Sequence, residues 1–414
     1  MDRRRFIAAT ATAAATPFAF SSGSLAFGDE LPNLAANASP ISVEERLSRV
    51  AMAASLMQAN DIDAVLVEAG SSLVYFTGVH WWRSERLTGA VLTRDGEIAI
   101  VTPFFEEPSV RESLAIEAEI LTWDEDEDPL ALIAEWLGSR GLKSGKIGIE
   151  ETVRFFAVDA LGHAMPEAQI TSANPVVRGC RMRKSPAELA LMQTANEITL
   201  AAYRYAFPRI EEGMTPQDIG ALINGATRQM GGSPEFALVL LGEASAYPHG
   251  TGKPQHVRDG EVVLLDSGCN VHGYQSDISR SFVFGEATAK QRMVWAQMRM
   301  GQEVAFEAAK IGVEAGQVDD AVRQYYESLG YGPGYKLPGT SHRTGHGIGL
   351  DGHEPVNLVR GETTALAAGM CFSNEPGIYI PGEFGIRLED CFYMTESGPR
   401  WFSEPARSID APFG

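Results

Sequence analysis

The sequence predicts an α/β (α+β) protein with two domains, the second of which repeats one order of secondary-structure elements. Three observations lead to this prediction. The chain has 414 residues, more than a single hydrophobic core usually holds. In its first part, strand-like apolar runs alternate with helical patterns. In its second part, two helices followed by a strand hairpin occur twice, offset by about a hundred residues, which indicates an internal duplication.

The first residues are predicted to be a targeting segment rather than part of the fold. Arg3, Arg4 and Arg5 precede a moderately apolar run that ends in small residues. This order is typical of a twin-arginine signal peptide, here residues 1–28, and the apolar run is too short to span a membrane. We therefore expect export to the periplasm without stable membrane insertion. Residues 29–40 are small, polar and contain proline, which predicts a linker.

A first domain of α/β type is predicted at residues 41–175. Its first helix should begin after Ser42, because Ser42-Val43-Glu44-Glu45 has the form of a capping box. The apolar face of this helix is predicted to consist of Val43, Leu47, Val50 and Leu56. Asp95-Gly96 is a hairpin turn signal between two strands. Strands are predicted at 64–67, 89–92, 97–101 and 147–149, and further helices near 130–137 and 153–163.

A second domain is predicted at residues 180–405. Ser185-Pro186-Ala187-Glu188 combines a capping serine, a proline in the first turn and an acid at the third helical position, so a long helix should follow. Thr215-Pro216-Gln217-Asp218 starts the next helix in the same way. The later elements are predicted as strands at 236–241, 261–268 and 275–284, helices near 288–310 and 317–329, and strands at 369–380 and 385–394.

The first hairpin of this domain carries acids on otherwise apolar strands. Asp266 lies in a buried-looking strand, and Asp277 follows eleven residues later. If the turn is centred on Val271-His272, the two carboxylates face each other directly, with Cβ atoms about 5 Å apart. Like charges opposed on partly buried strands destabilise a sheet. A cation between them is therefore expected.

The second hairpin repeats this unusual arrangement. Glu375 and Glu389 flank the turn Pro381-Gly382-Glu383 at a spacing of fourteen, which brings them near mutual register. A single acid pair could instead be neutralised by Arg280 or Arg387. Two acid pairs at matching places of a duplicated domain favour bound metal.

Three of the eight histidines are candidates for the same chemistry. His346 lies in Gly345-His346-Gly347, where the glycines are expected to let backbone and side chain approach a ligand closely. His353 follows seven residues later, and His249 precedes Asp266 by seventeen residues. The other histidines are left without a role, as solvated or satisfied in the core: His80, His163, His256, His272 and His342.

Four carboxylates and an imidazole form a ligand set dominated by oxygen. Such a set favours manganese, cobalt or iron over a typical zinc site, although zinc stays possible. Two divalent ions would neutralise four carboxylates, and bridging acids hold such ions about 3.5–4 Å apart. The sequence therefore predicts two divalent metal ions, with manganese preferred.

These motifs resemble those of metallopeptidase family M24, which includes prolidase, aminopeptidase P, methionine aminopeptidase and creatinase. The spacings are similar to the prolidase and aminopeptidase P branch, and residues 41–175 resemble a creatinase-type N-terminal domain. The resemblance implies a pita-bread fold for the second domain. The matching motifs, in order, are Leu265-Asp266-Ser267-Gly268, Ser276-Asp277-Ile278-Ser279-Arg280, Thr344-Gly345-His346-Gly347-Ile348-Gly349, Asn374-Glu375-Pro376-Gly377 and Arg387-Leu388-Glu389-Asp390.

The resemblance also implies a role for each residue. Asp266 and Asp277 would bind one ion, His346 and Glu375 the other, and Asp277 and Glu389 would act as bridging ligands. A metal-bridging hydroxide would attack the amide carbonyl before proline in Xaa-Pro peptides, with Glu375 transferring the proton.

Three further residues have roles by the same resemblance. His249 and His353 would stabilise the tetrahedral intermediate, and Arg387 would fix a ligand carboxylate. The family also implies a homodimer, in which Trp81-Trp82-Arg83 are candidate lid residues.

Two other functions remain open at this point. One is an M24 hydrolase or lyase that acts on a small ectoine-, creatine- or osmolyte-like substrate; lyase relatives carry an extra acid where this chain has Gly268. The other is a non-catalytic pita-bread binding protein, which the filled ligand positions disfavour. A formal net charge of −20 disfavours nucleic acid as a partner.

Overall fold

The computed structural model describes residues 30–413. Its α-helices are α1 (Val43–Ala59), α2 (Ser71–Thr77), α3 (Glu107–Ser113), α4 (Pro129–Ser139), α5 (Phe155–Ala164), α6 (Asn174–Arg181), α7 (Pro186–Ala206), α8 (Pro216–Gln229), α9 (Ala289–Ala308) and α10 (Ala315–Ser328). Its strands are β1 (Ala64–Glu68), β2 (Gly89–Thr93), β3 (Ile98–Pro103), β4 (Glu119–Trp123), β5 (Lys146–Ile149), β6 (Gln169–Ser172), β7 (Ser233–Leu241), β8 (Val262–Val271), β9 (Tyr274–Gln275), β10 (Ile278–Val283), β11 (Gly345–Gly347), β12 (Glu354–Leu358), β13 (Cys371–Asn374), β14 (Ile378–Ile380), β15 (Phe384–Ile386), β16 (Asp390–Thr395) and β17 (Gly398–Trp401).

The N-terminal half is one six-stranded sheet with helices on both faces. The strand order is β4-β3-β2-β1-β5-β6. β1, β2 and β3 form antiparallel pairs, whereas β5, β6 and β4 join in parallel. The hairpin predicted at Asp95-Gly96 is confirmed, because β2 and β3 pair around it and Gly96 has a φ of 86°. Apolar clusters lie on both sides of the sheet.

Helix α1 begins where the sequence predicts, but its buried face is different. The Ser42 hydroxyl accepts a hydrogen bond from the Glu45 amide at 3.2 Å. Val43 and Leu47 are 46% and 51% exposed, so the predicted apolar face is wrong at these two positions, whereas Val50 and Leu56 pack on the core as predicted. The buried residues of the helix are Arg49, Val50, Ala53 and Met57.

The contacts of Arg49 explain why this face of α1, and not the predicted one, is buried. Its guanidinium donates to the Tyr75 carbonyl at 3.1 Å and to the Tyr274 hydroxyl at 3.0 Å, and it lies 3.4 Å from Glu188. A buried guanidinium is retained only where such partners satisfy it. Partners far away in the sequence therefore decide which side of α1 faces the core.

The C-terminal half consists of two units with the same order of elements. In the first, α7 and α8 pack against the sheet β10-β8-β7; in the second, α9 and α10 pack against the sheet β12-β11-β13-β16-β17. Each unit has its own apolar core. Both α7 and α8 begin with complete capping boxes, Ser185 with Glu188 and Thr215 with Asp218, as predicted. The two halves of the duplication meet where the acid-bearing hairpins lie side by side.

The segment predicted as a linker lies against the C-terminal half. The Leu34 amide donates to the Met230 carbonyl at 2.9 Å, and Leu31, Ala35 and Ala38 pack on the first apolar core. The predicted signal peptide, residues 1–28, lies outside the described residues. Between residues 30 and 413, none of the helices combines the length and hydropathy that a membrane span requires.

Candidate metal centre

The first hairpin positions Asp266 and Asp277 with a register that differs from the predicted one. Asp266 pairs with Ser279 across β8 and β10, so direct opposition of the two acids is wrong. The turn is formed by His272 and Gly273, whose φ angles of 48° and 88° are those of a type I′ turn. Asp277 lies in the gap between β9 and β10, one residue before the ladder resumes. The two carboxylates are therefore diagonal neighbours on the hairpin.

The second hairpin positions Glu375 and Glu389 near mutual register, as predicted. Asn374 pairs with Asp390 on one side of them, and Ile378 pairs with Ile386 on the other. The ladder is interrupted between these pairs, which frees both acids to turn toward the first hairpin.

A β-bridge between Ser279 and Glu389 joins the two hairpins at the centre of the duplication. The Glu389 amide donates to the Ser279 carbonyl at 3.0 Å, and the Ser279 hydroxyl donates to the Glu389 carboxylate at 2.7 Å. Arg280, the predicted alternative partner for one acid pair, instead forms a fully buried ion pair with Asp390 at 2.7 Å. Arg280 therefore does not neutralise the converging acids.

His346 enters from β11, the strand that runs beside Glu375. Its backbone amide donates to the Ser373 hydroxyl at 3.1 Å, and its Nδ1 lies 3.1 Å from the Gly347 carbonyl. A carbonyl only accepts, so Nδ1 carries the proton and the lone pair of Nε2 is free for a metal. Nε2 lies 3.3 Å from the Glu375 carboxylate and 3.8 Å from that of Asp277.

The glycines around His346 serve strand packing rather than ligand approach, which corrects the sequence interpretation. A Cβ on Gly345 would lie 2.1 Å from the Ser373 carbonyl oxygen, and one on Gly347 would lie 2.6 Å from that of Glu354. Neither contact is sterically possible. Glycine at these positions lets β11 fit between its neighbours and so fixes the depth of His346.

All five predicted metal ligands converge. Asp266, Asp277 and Glu389 form one group, and His346, Glu375 and Glu389 form a second; within each group the donor atoms lie within 4.8 Å of one another. In the described part of the chain, Asp266 Oδ1 and Glu389 Oε1 are buried without a hydrogen-bond partner. Unsatisfied buried carboxylate oxygens are rare in proteins. These oxygens fit two bridged divalent ions.

The electrostatics of the cluster indicate the same need for cations. Burial, together with the charges of neighbouring acids, raises the pKa of Asp277 and of Glu389 well above the ordinary values. Burial also raises the pKa of Glu375 to about 7, with Asp266 adding to the effect and Arg387 opposing it. Burial lowers the pKa of His346 to about 3, so its imidazole is neutral. Divalent cations would restore ionisation of the acids.

The predicted metal ligands lie in the wall of a cavity of about 500 Å³. His249, His353 and Arg387, the other predicted catalytic residues, line it together with Glu375. The His353 ring lies 3.9 Å from the His346 ring, centroid to centroid. Arg387 pairs with Asp266 and donates to the Ser279 hydroxyl at 3.0 Å. The roles assigned to these side chains stay predictions, but their common location is observed.

Some polar residues of the cavity were not predicted from the sequence. His342, which was left without a role, lies in the cavity wall, and its Nε2 is 2.7 Å from the Tyr379 hydroxyl. Tyr379 in turn accepts a hydrogen bond from Arg387 at 3.2 Å. Burial, and next Arg387, lower the pKa of His342 to about 3. The available signal was its position in the same loop, four residues before His346.

Comparison with known proteins agrees with this geometry. The profile of metallopeptidase family M24 matches residues 190–396, and the profile of the creatinase/prolidase N-terminal domain matches residues 49–183. The chain belongs to metallopeptidase family M24. It is 30% identical over 360 residues to an Xaa-Pro dipeptidase of Lactobacillus delbrueckii subsp. lactis, covering 85% of this chain and 96% of that protein.

Solved structures of M24 proteins have the same fold. A dipeptidase PepE from Mycobacterium ulcerans superposes with a TM-score of 0.81 at 29% identity, over 88% of this chain and 97% of that one. A prolidase from Thermococcus sibiricus gives 0.80 at 25% identity, over 89% and 99%. The predicted fold is confirmed: a creatinase-type N-terminal domain precedes a pita-bread M24 domain.

Proposed function

We propose that this protein is a metal-dependent peptidase that hydrolyses the amide bond before proline in Xaa-Pro peptides. The observation that carries the proposal is the convergence of four buried carboxylates and His346 at the floor of one cavity. The relatives named as Xaa-Pro dipeptidases, at 30–31% identity over most of both chains, support the choice of substrate.

Two groups of side chains would hold the ions. Asp266, Asp277 and Glu389 form one group, and His346, Glu375 and Glu389 the other. Bound divalent ions would polarise the scissile carbonyl and lower the pKa of water. Because the set is rich in carboxylate oxygen and contains one imidazole, we propose manganese as the native ion.

The protein side chains supply the remaining chemistry. Glu375 lines the cavity 3.3 Å from the His346 imidazole and is placed to carry a proton to the departing proline nitrogen. His249 and His353 line the same cavity and would donate hydrogen bonds to the charge that develops on the carbonyl oxygen. Arg387 holds Asp266 in place through an ion pair.

Two further properties are part of the proposal. Trp81 and Trp82 stack at 4.8 Å, and Trp82 is 69% exposed, which supports a homodimer in which this loop meets a second copy. Light scattering of the purified protein tests this. The paired arginines near the start support export to the periplasm; cell fractionation of the wild type and an Arg4→Lys, Arg5→Lys variant tests that.

The decisive assay compares the dipeptides Ala-Pro and Ala-Ala with manganese, cobalt, iron or zinc added singly. We expect metal-dependent cleavage of Ala-Pro alone, lost in Asp277→Asn and retained in Glu68→Gln, a buried acid of the N-terminal domain paired with Arg154. Two bound ions without cleavage would contradict the proposal and direct the search to small osmolyte-like amides. Absence of bound metal would indicate a binding protein instead.

A further inference from the structure

A buried ion pair on α10 takes no direct part in the metal centre. Asp319 and Arg323 lie one helical turn apart and are 0% and 2% exposed. The Arg323 guanidinium donates to both oxygens of the Asp319 carboxylate, at 2.7 and 3.1 Å. The loss of hydration usually offsets the attraction within a buried pair, so the pair adds little to stability by itself. The further contacts of the two side chains are therefore the better guide to their role.

The first unit of the duplication packs the corresponding helix without this pair. Both α8 and α10 have 14 residues. When the two helices are aligned at their first residues, α8 has Gly220 where α10 has Asp319. It has Asn224 where α10 has Arg323. The ion pair is therefore peculiar to the second unit, which is also the unit that supplies the histidine ligand, His346.

The carboxylate of Asp319 holds the residue that leads into β11. Asp319 Oδ1 accepts hydrogen bonds from the Thr344 amide at 3.1 Å and from the Thr344 hydroxyl at 2.8 Å. Its Oδ2 accepts another from the Arg360 amide at 3.0 Å. Thr344 precedes His346 by two residues, and its carbonyl accepts a hydrogen bond from the Glu375 amide at 2.8 Å. One buried carboxylate thus fixes the backbone that joins both metal ligands.

Arg323 holds the connection between α10 and β11 from its other side. This connection, residues 329–344, contains neither helix nor strand and includes His342 in the cavity wall. Segments of that length are mobile unless side chains fix their backbone. The guanidinium donates to three of its carbonyls, those of Gly334 at 2.8 Å, Thr340 at 3.3 Å and His342 at 2.7 Å. The ion pair therefore attaches the whole connection to a rigid helix.

We propose that this ion pair positions His346 and Glu375 at the separation that their metal ion requires. The inference rests on the proposed metal-dependent function and adds to it the origin of the affinity for one of the two ions. Partners that orient metal ligands change metal affinity roughly 10- to 100-fold when they are removed. In the described chain, Asp319 and Arg323 make no hydrogen bond to the acids of the first hairpin, so the loss should fall on one ion only.

The test removes the pair without leaving a buried charge. In an Asp319→Leu, Arg323→Met double variant, apolar side chains of similar size replace both partners, a change that is often neutral for stability. The metal-free wild type and variant are titrated with manganese in a calorimeter, which resolves the two ions. We expect the affinity for one ion to fall roughly 10- to 100-fold and that for the other to stay within about threefold. Asp319→Asn, which leaves Arg323 unpaired, should show the same loss together with a lower Tm.

A second background assigns the affected ion. His346→Ala removes the imidazole of one group, so adding the double substitution to it should change the affinity for the remaining ion by no more than about threefold. The visible spectrum of the cobalt-loaded double variant should also differ from that of the wild type, because it depends on ligand geometry. Glu68→Gln, which breaks a buried ion pair of the N-terminal domain, is the matched control and should leave both affinities unchanged.

The titration separates this inference from the proposed function, because it requires no substrate. Loss of affinity for one ion would support the inference even if no peptide were cleaved. Two ions bound by the double variant with wild-type affinity would overturn the inference and leave the proposed function intact. An equal loss for both ions, with a lowered Tm, would also overturn it, because the pair would then only support the fold. A wild type that binds fewer than two ions would contradict both.

Discussion

Two buried clusters of charge in this protein lie close together and behave in opposite ways. In the metal centre, burial raises the pKa of Glu375 to about 7. In a second cluster, formed by Arg181, Lys184, Asp351 and Glu354 and called the interdomain cluster below, the pKa of Glu354 is about 2. Burial opposes ionisation of Glu354 as well, but Lys184 and Arg181 outweigh it. Both glutamates are shielded from solvent, so the balance of charge around each side chain decides whether its pKa is raised or lowered.

The comparison separates structural acids from functional ones. Glu354 accepts hydrogen bonds from Lys184 at 2.8 Å and from the Leu350 amide at 2.9 Å, so every nearby charge is matched. The metal centre leaves two carboxylate oxygens without any partner in the described residues. A protein retains such unmatched charge only where a ligand compensates for it.

The largest expected effect comes from removing one acid of the metal centre. Asp277→Asn should lower kcat/KM for Ala-Pro by on the order of 10³-fold or more, because it removes a ligand from the metal-binding group. Metal content measured on the same sample should fall in parallel. Asp351→Asn, in the interdomain cluster, serves as the matched control and should change kcat/KM only a few-fold. Full metal content and activity in Asp277→Asn would contradict the distinction between the acids of the metal centre and those of the interdomain cluster.

Removing the central acid of the interdomain cluster should instead destabilise the fold. Glu354→Gln leaves Lys184 buried without a counter-charge and Arg181 with Asp351 as its remaining acid, which costs about 3–5 kcal/mol in free energy of unfolding. Urea denaturation of the metal-free protein measures this. Asp351→Asn, whose side chain is about half exposed, should cost less than about 1 kcal/mol. A loss below that value for Glu354→Gln would show that the pairing is not structural.

The pH dependence of stability should have opposite signs in the two clusters. The pKa of Glu375 is raised above its usual 4.5, so the metal-free protein should lose stability as the pH rises from about 4.5 to about 7. Glu375→Gln should remove up to about 3 kcal/mol of that loss. The pKa of Glu354 is depressed, so its contribution is full above 4.5 and disappears as the pH falls toward about 2. Denaturation curves at several pH values test both signs, and the same slope in Glu375→Gln and wild type would contradict the first.

The smallest expected effect concerns the hydroxyl that links His342 to Arg387. Tyr379→Phe removes one acceptor from Arg387 and one donor to His342, which should cost about 0.5–1.5 kcal/mol. We expect kcat/KM to fall by no more than about tenfold, with metal content unchanged. A loss as large as that of Asp277→Asn would place Tyr379 among the essential residues and weaken the comparison.

The sequence was sufficient for the elements that depend on local signals. The capping boxes of α7 and α8 and the Asp95-Gly96 hairpin are set by neighbouring residues, and all are present. The four acids of the candidate metal centre could be found because an acid on an apolar strand conflicts with its surroundings. That conflict is visible without a structure.

The features that the sequence did not reveal depend on distant contacts. The buried face of α1 follows from the bond between Arg49 and Tyr274, 225 residues apart. The register of the first hairpin follows from His272 adopting a positive φ, which its residue type permits but does not require. His342 and Tyr379 are ordinary polar residues in the sequence, and only the fold shows that His342 lines the cavity with Tyr379 bound to it.

The interdomain cluster also determines where this chain can be divided. Arg181 lies at the end of α6 and donates to Ser71 and Ser72 at 2.9 Å, and its second nitrogen reaches Asp351 at 2.8 Å and also Glu354. Arg181 is inside the match to the N-terminal domain profile, whereas Glu354 is inside the match to the catalytic one. A chimaera that exchanges N-terminal domains between residues 183 and 190 therefore takes Arg181 from one parent and Glu354 from the other. Such a chimaera of two M24 proteins is expected to fold only where the charges of the two parents still pair across this cluster.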